Sequence, residues 1–144
     1  MIPLAASAGA VVCTILIHTA VVIGTVTLVR SEKRRSRVGK SFWFDIAIIG
    51  RATGLALIAH LIEIAVWAVL FAACGEFADF GTAYYHSAVN YTTLGYGDVL
   101  MSASWRMLGP LEATNGMLLF GVTTAMLFAL MQRLVEARFA DLRD

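Results

Sequence analysis

Three stretches of this 144-residue chain stay apolar for longer than a bilayer core is thick, and nothing else constrains its fold as strongly. The first, "LAASAGAVVCTILIHTAVVIGTVTLV", runs from Leu4 to Val29; the second begins near Phe42 and continues to about Ala73; the third runs from about Gly109 to Leu134. About 20 residues suffice to cross a hydrocarbon core of roughly 30 Å as a helix. In lipid, every backbone donor and acceptor must be satisfied within the protein, so such segments are helices unless they close into a barrel. A cleaved signal peptide fits the first stretch poorly, because no basic residue precedes it and it is too long. Pro110 suits a first helical turn, where its missing N–H is not needed. The fold class is an all-α membrane protein with three transmembrane helices. Composition agrees: charged residues make up 15%, against about 25% in soluble domains.

The charges are grouped. Seven of the eleven basic residues lie between Arg30 and Arg51, six of them in "RSEKRRSRVGK". Beside an apolar helix such a run marks a cytoplasmic loop rather than a nucleic-acid site. Arg133, Arg138 and Arg143 follow the third stretch, so both basic segments face the cytoplasm. That leaves the N-terminus and residues 75–108 outside, where Glu76, Asp79 and Asp98 stand against Arg106. Trp43, Trp67 and Trp105 fall toward span ends, as interfacial aromatics do. Cys13 and Cys74 belong at different depths and are expected to be free thiols. No span carries the regularly spaced arginines of a voltage sensor. No catalytic triad, phosphate loop or dense metal cluster suggests an enzyme or a cofactor, and no soluble ligand domain is present.

Between the second and third stretches, a segment from Thr82 to Thr92 is about 16 Å long if helical, half a membrane. It therefore enters and returns, with its irregular end covered by protein or water rather than lipid. "TTLGYGD", Thr92 to Asp98, follows it. This heptad resembles the selectivity filter of potassium channels, whose common form has valine where this chain has Leu94. Over residues 42–137 the chain is similar to small bacterial members of the two-helix pore family, with one extra helix in front. The resemblance implies an extra helix over 1–29, a basic loop over 30–41 and a pore domain over 42–137, followed by a cytoplasmic tail, 138–144. Within the pore domain it implies an outer helix at 42–73, a pore helix at 82–92, a filter at 93–98 and an inner helix at 109–135.

A potassium ion entering a narrow pore must exchange its water shell for other oxygens, and inward backbone carbonyls supply them. Gly95 and Gly97 permit the backbone angles this requires. By the resemblance, the carbonyls of Thr93, Leu94, Gly95 and Tyr96, with the Thr93 hydroxyl, hold K+ as the transported ion. The side chains of Leu94 and Tyr96 brace the filter from behind, and Asp98 faces the outer mouth. The pore helix aims its negative end, with Thr92, toward the ion. One loop cannot surround an ion, so the resemblance implies a homotetramer. Lipid is the other partner, in the cell (inner) membrane; neither nucleic acid nor a small-molecule substrate is expected.

The chain departs from the family pattern in two places. Where some relatives place a pore-helix glutamate that pairs with the filter aspartate, this chain has Val89, and Tyr85 and His86 replace pore-helix tryptophans. The Tyr85 hydroxyl is a candidate donor to Asp98 in place of an indole N–H; packing against the inner helix is the alternative. Gly116 and Gly121 are candidate gate hinges, with Gly116 ahead, and close helix packing is the other use of such glycines. Phe120, Thr124 and Phe128 recur at helical spacing, as cavity lining or as ordinary packing. His18, His60 and Glu63 fall near mid-membrane, where ionisable groups are costly. Arg30 back to His18 and Arg51 forward to Glu63 are each about 18 Å. His18 is therefore expected to meet Glu63, with His60 one turn nearer the cytoplasm. A structural pair, a contact from Glu63 to the pore or inner helix such as Asn115, and a pH sensor all fit. A metal site from the three has no outer partner visible in the sequence to orient its ligands. The function expected is passive K+ conduction; a weakly selective cation channel and a non-conducting adaptor are the alternatives.

Overall fold

The computed structural model describes residues 2–34 and 41–139. Four helices follow one another: α1 (Ile2–Arg34), α2 (Phe42–Ala73), α3 (Phe80–Tyr91) and α4 (Leu108–Arg138). Helices α1, α2 and α4 are long and apolar enough to cross a membrane. The chain is an all-α, multi-pass membrane protein.

Three helix ends lie beyond their expected positions, each for a local reason. Helix α1 continues to Arg34 rather than stopping at 29, because Glu, Lys and Arg are good helix formers wherever water solvates them. Residues 35–40 of the basic loop and 140–144 of the tail lie outside the described residues. Helix α3 starts at Phe80, not 82, because Asp79 caps it. The Asp79 carboxylate accepts from the Thr82 amide at 2.9 Å and the Thr82 hydroxyl at 2.7 Å. Helix α4 reaches Arg138 rather than 135. There the guanidinium meets Asp45 of α2 at 2.6 Å and lies 5.4 Å from the centre of the Phe42 ring.

Helix α1 packs against α2 and α4, and the face it buries is small and polar. Ser7, Ala10, Thr14, His18 and Thr25 are buried, while Leu4, Val12, Leu16 and Ile23 are exposed. Lipid tails are as apolar as leucine, so burying leucine gains nothing between helices, and close approach and hydrogen bonds drive docking instead. Asn115 of α4 donates to Thr14 at 2.8 Å across this seam. Asn115 is thus turned to α1; of the alternatives for Glu63, the contact reaches the pore helix through Tyr91 rather than the inner helix through Asn115.

Two apolar clusters bracket the molecule. Beside α3, Trp67, Phe71, Ala83, Tyr91 and Leu108 pack together; at the opposite end, Ile48, Ala52, Leu130 and Leu134 do. Trp67 therefore corrects one expectation. It is fully buried in the core, not an interfacial anchor, because α3 folds back over that part of α2. Trp43, by contrast, is 76% exposed. Near the start of α3, Glu76 accepts from the Ser102 amide at 2.6 Å and its hydroxyl at 2.7 Å. That pins the α2–α3 connection to the segment leading into α4.

Candidate functional site: the filter loop and the polar cluster behind it

The loop after α3 alternates in backbone hand. Thr93 (φ 61°), Gly95 (φ 60°) and Gly97 (φ 73°) have positive φ, and the residues between them do not. Alternation of right- and left-handed residues turns successive N–H groups to one side, which sends the carbonyls to the other. The hydrogen bonds agree with that sense. The Thr93 amide donates to the Asn90 carbonyl at 2.8 Å, and the Leu94 and Gly95 amides both donate to the Val89 carbonyl, at 2.9 and 3.3 Å. Val89 thus supports the loop through its main chain. Among the described residues, the carbonyls of 93–96 accept no hydrogen bond. Thr93 is the informative position: a non-glycine residue in the left-handed region costs roughly 1–2 kcal/mol and persists only when its surroundings impose it.

Side chains of α3 hold the far end of the loop. Tyr85 donates to Asp98 at 2.7 Å. His86 Nδ1 donates to the Val99 carbonyl at 3.0 Å, while its Nε2, 2.8 Å from Asn90 Nδ2, accepts from that amide. The tautomer follows from this network. Thr92 spends its proton on the Ala88 carbonyl at 2.7 Å, so its hydroxyl turns back to α3 rather than standing beside Thr93 as a free group.

The other end of α3 rests on buried polar groups. His18 Nδ1 lies 2.9 Å from Glu63 Oε1, and His60 Nδ1 lies 3.1 Å from Glu63 Oε2. Tyr91, the last residue of α3, donates to Glu63 Oε2 and has its oxygen 2.9 Å from His60 Nδ1. Thr123 of α4 stands between the two imidazoles, 3.0 Å from His60 Nε2 and 3.2 Å from His18 Nε2. All four helices meet here. Glu63 is completely buried, and His18 and His60 nearly so.

The sequence model of a family described as "Ion channel" matches residues 55–133, more than half of the chain. The chain belongs to this ion channel family. No curated protein and no solved structure matches it. The family match begins within α2 and ends within α4, so α1 lies outside it.

In this channel the two candidate hinges are not equivalent. A Cβ at Gly116 would overlap the Tyr91 carbonyl oxygen and lie 3.1 Å from its carbonyl carbon, whereas one at Gly121 would meet nothing within 4 Å. The lack of a side chain at Gly116 lets α4 touch the end of α3, which is the close-packing use expected of such a glycine. Phe120 leans on the His60 ring, with centroids 4.4 Å apart. Thr124 donates to the Phe120 carbonyl at 2.9 Å, and Phe128 is 57% exposed. Leu94 and Tyr96 are 55% and 67% exposed, so within one chain they do not brace the filter from behind.

Sequence reasoning missed Tyr91, Thr123 and Glu112. Glu112 of α4 is fully buried, its Oε1 2.5 Å from the Ser87 hydroxyl, which also lies 2.8 Å from the Ile64 carbonyl. The signal was available: Glu112 is a carboxylate within an apolar span, by the same logic that singled out Glu63. Nothing distinguishes Thr123 from its neighbours until α1 and α2 bring two imidazoles to it.

Proposed function

We propose that the channel is potassium-selective and passive, built by four copies around a central axis. Each copy supplies the carbonyls of Thr93, Leu94, Gly95 and Tyr96 as oxygen rings that replace the hydration shell of K+. One observation carries this reading. The alternating hand of residues 93–97 goes with amides of 93–95 that donate to α3 and leaves a row of unclaimed carbonyls. A glycine-rich turn that merely joined two helices has no need of that alternation, least of all at Thr93. Asp98, held by Tyr85, lies at the mouth, where its charge concentrates cations. Gly121 takes the role of hinge, and Phe120, Thr124 and Phe128 line the path below the filter. The basic ends of α1 and α4 favour a cytoplasmic C-terminus and an external N-terminus in the cell membrane. The chain catalyses no reaction.

The test is the reversal potential of the full-length protein in planar bilayers, with K+ on one side and Na+ on the other. We expect it to move close to the K+ equilibrium potential, and Gly95→Ala to abolish current. A reversal potential near zero would instead indicate a weakly selective cation channel. Absence of any flux from protein that is folded and inserted would indicate an adaptor.

A further inference from the structure

We propose that His18, His60 and Glu63 form a binding site for a transition divalent cation, Zn2+ in the first instance, that fastens α1 to the pore-forming helices. The ligand atoms of the three side chains all lie within 4.8 Å of one another, and all three residues are buried. Each imidazole presents Nδ1 to a different oxygen of one carboxylate, at 2.9 and 3.1 Å. Three side chains therefore offer three ligands, two imidazole nitrogens and one carboxylate, a set that zinc accepts with its fourth position left to water. Zinc suits imidazole with carboxylate, and no thiolate is needed.

A proton count shows that the cluster needs one positive charge, which a bound cation supplies. Without one, each imidazole donates from Nδ1 to Glu63, leaving both Nε2 atoms as acceptors. Thr123 faces both of them, at 3.0 and 3.2 Å, yet a hydroxyl has one proton to give. With both rings neutral, one buried nitrogen would be left facing an oxygen lone pair; an extra proton on one ring or a bound cation removes that clash. With a cation at the Nδ1 atoms, each ring carries its proton on Nε2, and both donate to the two lone pairs of Thr123. The Thr123 proton is then free for its own helix backbone, as Thr114 and Thr124 donate theirs to the carbonyls four residues earlier, at 2.8 and 2.9 Å. Tyr91 continues to donate to Glu63. Metal-binding histidines and carboxylates are oriented by such outer hydrogen bonds, and losing one typically weakens binding by about 10- to 100-fold. The ion leaves a net positive charge, and the negative end of α3, which terminates at Tyr91, lies a tyrosine side chain away.

The experiment needs no current, so its outcome is separable from that of the conduction reading. Full-length protein in detergent is stripped with a chelator, reloaded with Zn2+ or Co2+, gel-filtered and analysed for metal. We expect about one ion per chain, visible absorption bands of four-coordinate Co2+, and a higher melting temperature with metal than without. His18→Gln should lose the metal and the melting shift. Thr123→Val, which removes no ligand, should weaken binding by about 10- to 100-fold. Wild-type protein that holds no ion after reloading would overturn the proposal and leave the cluster closed by an extra proton alone. So would Co2+ bands that survive His18→Gln unchanged. The reloading of wild-type protein is decisive by itself, so a variant that fails to fold does not obscure the result.

Discussion

Gly116 and Gly121 look alike in the sequence of α4 and differ entirely in their surroundings. Gly116→Ala places a methyl group against the Tyr91 main chain. Overpacking of this kind costs about 1–3 kcal/mol, and the main chain it strikes leads directly into the loop at Thr93. We expect a lower melting temperature and loss of K+ current together, read by thermal unfolding and bilayer recording. Gly121→Ala meets no atom and should raise helix stability by about 1 kcal/mol, keep selectivity, and reduce the fraction of time spent open. If Gly116→Ala conducts normally, the close approach of α3 and α4 is not what that glycine serves. Tyr85 belongs to the same scale. It makes a hydrogen bond to Asp98 at 2.7 Å, and Tyr85→Phe removes only that. The expected outcome is a faster decay of steady K+ current with unchanged selectivity; an unaltered decay would show that Asp98 is held by other means.

At the scale of the element, α3 is a short helix whose two ends are fixed by different chemistry. Its start depends on Asp79, whose carboxyl is held below the ordinary aspartate range by hydrogen bonds from the Thr82 side chain and amide. A carboxylate with a depressed pKa stabilises the folded state above its unfolded pKa, and that contribution is lost as pH falls through the depressed value. Amide exchange in the first turn of α3 should therefore accelerate under acid in wild type. Asp79→Ala should show the faster exchange already at neutral pH, with no further acid dependence from this cap. The end of α3 depends instead on Tyr91 and its contacts with Glu63 and His60, which no substitution at Asp79 should disturb. Helix α1 makes the complementary point: an apolar helix whose Thr14 and His18 hydrogen-bond across to α4 and α2, because in lipid those are the groups with something to gain.

For the whole molecule, the exposed filter side chains matter most. Leu94 and Tyr96 stand more than half exposed beside a loop whose carbonyls are unclaimed. In the four-copy ring proposed above, neighbouring copies would cover the side chains while the carbonyls faced the shared axis. Native mass spectrometry of the detergent-solubilised protein should give four times the chain mass, and Tyr96→Ala should shift the population toward smaller species. A stable monomer that still conducts would defeat the four-copy reading.

Much of this architecture was legible in the chain itself. Span lengths, the half-length α3, the glycine positions of the loop and the costly charges at His18, His60 and Glu63 all follow from local composition and a rise of about 1.5 Å per residue. Depth counted along a helix even brings His18 level with Glu63, because a membrane fixes one coordinate for every residue in it. What that count lacks is direction around each helix axis. Only the packed structure decides that Asn115 turns to Thr14, that Trp67 is covered, that Gly116 touches Tyr91, and that one threonine hydroxyl faces two imidazoles. In lipid, sequence hydrophobicity does not say which face of a helix is inside. Contact between helices is chosen by fit and hydrogen bonding, and those are properties of pairs of residues far apart in the chain.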